Sequence, residues 1–230
     1  MSITEKTLLI FAHPDDVAWT CAGTVARETQ AGEKIDQIMV TSGGFGGDES
    51  KKDQRLEEER SSMNVLGMET LYPLDFPDGE MSQDMFGDLV GAVVHVIDSA
   101  RERGIIYRRL MSFGPEDGYS GHPDHKVVAR AVEYAFRMRD QIKELAQVMM
   151  SPDERELWPD SWNLGERKIL VPRPDVARCR DVNISGTIFQ KIEAIRTHTS
   201  QLAGENGGLA QIQRIQRTAP IEHWRVFTRP

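Results

Sequence analysis

Apolar residues in this chain follow two spacings: short unbroken runs, and longer stretches in which they recur every three or four positions. The unbroken run Leu8 to Ala12 predicts a strand buried on both faces. Asp15 or Asp16 is expected to N-cap a helix running to about Ala31, with Val17, Cys21 and Val25 on one face and Gly32 ending it. Ile35 to Thr41 predicts a second strand, and the glycine-rich segment Ser42 to Gly47 follows it directly. A charged helix is expected from Lys51 to Leu66, closed by Gly67, then a third strand over Thr70 to Leu74 and a turn at Phe76-Pro77-Asp78-Gly79. Met85, Phe86, Leu89, Val90, Val93 and Ile97 recur at helical spacing and predict a helix over Gln83 to Arg103. Arg109 to Phe113 reads as a weaker fourth strand, and Pro123 opens a helix carrying Val127, Val128, Ala131 and Ala135.

Strand and helix thus alternate through the first half, which predicts an α/β fold. It would be Rossmann-like and three-layered (α/β/α), with a mostly parallel sheet. Met138 to Leu164 breaks the rhythm and reads as a polar helix followed by a Trp/Pro-containing loop, an insertion within one domain spanning residues 1–230. The alternation resumes with Ile169 to Val171, Arg180 to Ile184, a helix from Gly186 to His198 and a last strand near Trp224 to Phe227.

Charge narrows the function classes. The net charge of −8 with no basic run argues against nucleic-acid binding and against docking on an anionic membrane. No stretch reaches the roughly 20 apolar residues of a membrane span, and the first apolar run, Thr7 to Ala12, is too short for a signal-peptide core, so the expected location is cytoplasmic. Cys21 and Cys179 form no CxxC pair, which removes a cysteine zinc cluster and a disulfide framework from consideration.

Candidate chemistry sits at the ends of the predicted strands, where ligands of open parallel sheets collect. His13-Pro14-Asp15-Asp16 follows the first strand, the glycines follow the second, and Gly121-His122-Pro123-Asp124-His125 follows the fourth. A lone His-Pro or Asp-Asp pair is ordinarily a turn with a helix cap; two such clusters meeting on one rim make a better case for a site. Two histidines and a carboxylate drawn from them would form a three-ligand site with an open position, an arrangement suited to catalytic zinc. More candidates are present than ligand places, so at least one His or Asp is free for proton transfer. The glycine segment lacks the G-x-G-x-x-G of a dinucleotide fingerprint. His95 reads as structural, Arg108-Arg109 as a solvated pair, and Trp158 and Trp162 as loop packing.

The paired motifs resemble those of the PIG-L/LmbE-like deacetylases. Weaker matches run in the same order from about residue 7 to 202: Cys21-Ala22-Gly23-Thr24, Thr41-Ser42-Gly43-Gly44, Arg55 and Glu58 ahead of Leu66-Gly67, Leu74 to Gly79, and Lys191 through His198-Thr199-Ser200-Gln201. The resemblance implies a metal-dependent hydrolase that removes acetyl from an N-acetylglucosamine-type amino sugar conjugate. The cofactor would be Zn²⁺, Fe²⁺ or another divalent metal, and the assembly a homo-oligomer. It implies His13, Asp16 and His125 as metal ligands and Asp15 as general base. His122 would stabilise the oxyanion and be able to protonate the departing amine. Asp124 would orient an imidazole, and Arg55 and Asp78 would contact substrate. The alternatives are an amidase on another amide or antibiotic glycoconjugate, or a metal- and sugar-binding relative impaired in catalysis. Val17-Ala18-Trp19 stands where relatives commonly place a glutamate, and Tyr119-Ser120 where some place an aromatic two residues before His122, so an atypical substrate pocket is expected.

Overall fold

The computed structural model describes residues 3–44, 49–116, 118–150, 179–202, 212–213, 215–216 and 220–230. Among the described residues, seven strands form one sheet: β1 (Thr4–Phe11), β2 (Ile35–Thr41), β3 (Leu71–Phe76), β4 (Ile105–Phe113), β5 (Glu144–Met149), β6 (Cys179–Asn183) and β7 (Ile221–Thr228). Their order is β3-β2-β1-β4-β5-β7-β6. Strands β1 to β5 pair in parallel, whereas β7 runs antiparallel to both β5 and β6. β1 lies in the interior of the sheet, with Leu8 opposite Asp36 on one side and Leu110 on the other. Leu8, Leu9, Ile10, Phe11 and Ala12 are all fully buried, which is why that segment shows no polar alternation.

Among the described residues, the sheet is covered by helices α1 (Asp16–Thr20), α2 (Ala22–Gln30), α3 (Lys52–Leu66), α4 (Phe86–Glu102), α5 (Pro123–Met138) and α6 (Ile188–Thr197). They pack in two groups: α6 contacts α1, α2 and α3, while α4 packs on α5. Chain order runs outward from β1 through β2 to β3, then returns across β1 to β4 and continues outward to β5. The reversal between β1 and β4 is a topological switch point, where the following loops diverge and leave a crevice at the strand ends.

Three expectations need correction. The single helix from Asp15/Asp16 to Ala31 is two helices broken at Cys21 (φ −139°, ψ 12°). The break has a long-range cause: the buried Glu222 carboxylate on β7 accepts from Gly23 N–H (3.1 Å) and Thr24 N–H (2.7 Å), the free donors of α2. Lys191 Nζ lies 2.7 Å from the same carboxylate. A Cβ at Gly23 would sit 2.5 Å from Ile184, so only glycine allows α2 this close. Second, the expected polar helix after Met138 is replaced over Glu144–Met149 by the interior strand β5. Glu, Leu, Ala, Gln and Met all favour helix locally, and pairing with β4 and β7 overrides that preference. Third, Arg109 is no solvated cation; it is 16% exposed and pairs with Glu28. The remainder of the expected insertion (151–164), the expected strand at 169–171 and the two tryptophans in between lie outside the described residues.

Glu222→Ala should strand Lys191 in the core and uncap α2. The expected loss is about 3–5 kcal/mol of unfolding free energy, the usual result of removing one partner of a buried ion pair, to be read from denaturant unfolding.

Candidate active site

The two His/Asp clusters meet at the switch point. The first begins two residues after β1, where His13 N–H donates to Asp16 Oδ2 (2.7 Å) and folds the turn back on itself. The second opens α5: His122 is its N-cap, with Nδ1 accepting from Asp124 N–H (3.2 Å) and Pro123 in the first turn. His13, Asp16, Asp124 and His125 are all buried.

Hydrogen bonding determines where the imidazole protons sit. His13 Nε2 faces two carboxylate oxygens, Asp78 Oδ1 at 2.9 Å and Asp124 Oδ2 at 3.1 Å, so it carries a proton. His125 Nδ1 faces the Gly118 carbonyl at 2.8 Å and likewise carries one. In the neutral rings, His13 Nδ1 and His125 Nε2 are therefore lone pairs, and they point at each other across 3.1 Å. Asp16 adds its oxygens, Oδ1 at 3.2 Å from His125 Nε2 and Oδ2 at 3.6 Å from His13 Nδ1. Three acceptors converge in a buried space and share no proton.

Such a cluster requires a cation or an additional proton. Ligands about 2.0–2.1 Å from a tetrahedral zinc ion stand about 3.3 Å apart, and the contacts of 3.1, 3.2 and 3.6 Å bracket that figure. The donor set therefore fits a divalent metal. A carboxylate on the outer nitrogen of a ligand histidine is the usual support for such a site. Without a metal, protons take up the role. Burial would depress His13, but hydrogen bonds from the protonated ring to Asp124, Asp16 and Asp78 outweigh it and raise the ring well above its usual range. Burial would raise Asp16, but His125 and His13 hold its carboxyl far below the normal carboxylate range. His122 also brings a ring nitrogen within 4.8 Å of ligand atoms on His13 and His125, and His13, Asp78 and Asp124 form a second such grouping. The shorter contacts favour Asp16 as the third member of the first.

Neither Asp15 nor Asp16 belongs to these two groupings; Asp16 reaches both histidines through the contacts above, whereas Asp15 Oδ2 lies 3.6 Å from Arg55 Nη2. The Asp15 backbone is left-handed (φ 89°), which turns its side chain away from the course that Asp16 takes into α1. Burial pushes its carboxyl up to about 7, against the pull of Arg55. His122 stacks on His125 (centroids 4.9 Å apart) and meets His13 edge-on (4.7 Å). Burial, with the charges of His125 and His13, lowers it to about 4, so it is a neutral imidazole at neutral pH. Because its Nδ1 accepts from Asp124 N–H, its proton is on Nε2.

A model of the PIG-L family, described as GlcNAc-PI de-N-acetylase, matches residues 8–136. The chain belongs to the PIG-L family. A diacetylchitobiose deacetylase of Thermococcus kodakarensis is 35% identical over 211 residues, 86% of this chain and 70% of that protein. The solved N,N'-diacetylchitobiose deacetylase of Pyrococcus horikoshii has a TM-score of 0.70 at 19% identity, covering 97% of this chain and 84% of that one. GalB of Pseudomonas putida KT2440, a 4-carboxy-2-hydroxymuconate hydratase, has a TM-score of 0.63 at 18% identity, covering 99% and 98%. A shared fold thus leaves the reaction open, and the site residues have to decide it. PIG-L deacetylases are metal-dependent, and the His/Asp cluster is the candidate metal site in this member.

The structure brings together all eight residues singled out in the sequence, with two surprises of placement. Asp78 lies against His13 beside Asp124, whose Oδ2 also accepts from Gly79 N–H (2.8 Å) and ties the loop after β3 to α5. Arg55 directs its guanidinium at protein backbone, donating to Gly43 O (2.7 Å) and Pro14 O (2.9 Å), with Asp15 Oδ2 at 3.6 Å. One participant was overlooked: Glu59, 1% exposed, accepts from Asp15 N–H at 2.9 Å. Its signal was present in the helical spacing. Arg55, Glu59, Ser62, Met63 and Leu66 share the buried face of α3, and charged residues on a buried face call for partners.

Gly43 has φ +72°, and a Cβ there would lie 2.6 Å from the Arg55 guanidinium. Gly43→Ala should dislodge Arg55 from both carbonyls, with a loss of about 1–2 kcal/mol from the left-handed backbone alone. Thermal unfolding measures this, and a loss in Gly43→Ala/Arg55→Ala smaller than the sum of the two single losses would locate the clash.

Proposed function

We propose that this protein is a metal-dependent N-deacetylase that hydrolyses the acetamide of an N-acetylglucosamine-type amino sugar conjugate. The observation that carries the reading is the convergence of His13 Nδ1, His125 Nε2 and the Asp16 carboxylate within 3.1–3.6 Å, while Asp15 Oδ2 lies 3.6 Å from Arg55. His13, Asp16 and His125 would hold the metal. A divalent cation bound there supplies Lewis acidity toward an amide oxygen and makes water acidic enough to act as a nucleophile near neutrality.

The remaining chemistry belongs to the chain's own side chains. Asp15, held beside Arg55, removes a proton from the attacking water. His122, neutral and protonated on Nε2, donates a hydrogen bond to the carbonyl oxygen as negative charge develops there. A neutral imidazole held low by burial is a poor source of the second proton. Asp15, having taken a proton from water, returns it to the departing amine. Asp124 and Asp78 keep the His13 ring in place and fix its tautomer. Of the two residues expected to contact substrate, both lie at the site, and we assign them support roles, Asp78 toward His13 and Arg55 toward the Asp15 loop.

Val17 and Ala18, where relatives place a glutamate, are buried at 1% and 0% exposure. The pocket therefore lacks that acid on α1, and this favours testing acetylated antibiotic glycoconjugates and other amides beside chitobiose-type sugars. Acetate release by metal-loaded protein should stop with a chelator. Asp15→Asn should lower kcat by about 10²–10⁴-fold with metal stoichiometry intact. Protein that releases acetate equally well when metal-free, or with Asn at position 15, would sink the proposal.

His122→Ala should lower kcat by about 10²–10³-fold, the usual loss for one oxyanion donor. Substrate affinity, measured by calorimetry, should change far less. An equal loss in both would favour a binding protein instead.

A further inference from the structure

Asp15 and Tyr119 are the two residues other than glycine with positive φ among those described. A left-handed backbone costs a residue with a Cβ about 1–2 kcal/mol, and it persists only where the surroundings over-determine it. At Asp15 those surroundings are one face of α3. The peptide unit joining Pro14 to Asp15 is gripped at both ends: Arg55 Nη2 donates to its carbonyl (2.9 Å), and Glu59 Oε2 accepts from its N–H (2.9 Å). Arg55 and Glu59 lie four residues apart, so they project from the same side of the helix.

Glu59 is itself held from two further elements. Its Oε1 accepts from Gln37 Nε2 on β2 (2.6 Å), and its Oε2 lies 3.6 Å from His198 Nε2, beyond the end of α6. Gln37 and His198 are both fully buried. A carboxylate at 1% exposure is an expensive way to fill a helix–sheet interface. An apolar residue would do so without penalty, but it could not accept the N–H that the left-handed turn points into the core.

We propose that Glu59 is a positioning residue for Asp15: as acceptor of the Asp15 N–H, it fixes the backbone that separates the general base from the metal ligand next to it. Without this clamp, Asp15 relaxes toward the right-handed conformation, and its carboxylate leaves the path of the attacking water. The inference rests on the deacetylase reading for its kinetic consequence and on geometry alone for its structural one.

The test compares three variants of the full-length protein. Glu59→Gln keeps an acceptor at the same reach and drops the charge, Glu59→Asp keeps the charge and withdraws the acceptor, and Glu59→Ala removes both. In metal-loaded protein, Asp and Ala should lower kcat by ~10- to 100-fold, the scale of a misplacement of about 1 Å, with KM and metal stoichiometry within about twofold of wild type. Gln should stay within about threefold of wild-type kcat. The opposite order, Asp active and Gln impaired, would show that charge rather than reach matters and would overturn the proposal. So would a parallel loss of kcat and metal in all three.

Amide hydrogen exchange over residues 13–16 gives a readout independent of turnover. Exchange should quicken in the Asp and Ala variants but not in Gln, and unchanged exchange in all three overturns the assignment. If wild-type protein released no acetate from any substrate, the deacetylase reading would fail while exchange still decided the role of Glu59. If Glu59→Ala does not fold, the contrast between Asp and Gln suffices.

Discussion

Three lone pairs directed into one buried space, with no proton to share, form the interaction on which the rest of this structure depends. His13 Nδ1, His125 Nε2 and the Asp16 carboxylate repel one another unless something positive lies between them. Every neighbouring contact serves to hold them in that arrangement. Asp78 and Asp124 hold the His13 proton on the outer nitrogen, and the Gly118 carbonyl does the same for His125. Because both rings have their outer faces engaged, their inner nitrogens are committed to the centre of the cluster.

The sheet topology supplies the meeting place. His13 and His125 are 112 positions apart in sequence, yet β1 and β4 are neighbours and the strand order reverses between them. Loops that leave adjacent parallel strands toward helices packed in different groups must part, and the crevice between them is where ligands gather. α3 adds a second constraint from below. Its buried face carries Arg55 and Glu59, which grip the peptide between Pro14 and Asp15.

Both the fold class and the meeting of the two His/Asp clusters at one rim were legible in the sequence. His13-Pro14-Asp15-Asp16 and His122-Pro123-Asp124-His125 are compact, and their chemistry is local: a strand end, a helix start, and ligand types three residues apart. Arg55 could be recognised as part of the site, but its partners could not, because Gly43 and Pro14 offer only backbone carbonyls and a carbonyl leaves no mark in a sequence. Glu59 was visible only as a charge on a buried helical face. Local signals misled most at β5 and at Cys21. Glu144–Met149 has a helix-forming composition and becomes a strand because two neighbours pair with it. α1 and α2 separate because a carboxylate about 200 residues away takes the first donors of α2.

The sequence by itself determined the alternation of elements, the placing of both His/Asp clusters at strand ends, and an identity of ligand types that suits a divalent cation. These depend on nearest-neighbour properties: hydrophobic period, turn residues and side-chain chemistry. Tertiary structure alone decided which nitrogen of each imidazole faces inward, that Asp78 and Asp124 share one histidine, and that Asp15 stands apart from Asp16. Each of those outcomes depends on a hydrogen bond between segments distant in the chain. Such bonds follow from how parallel strands bring remote loops to one rim, and local sequence pattern does not encode them.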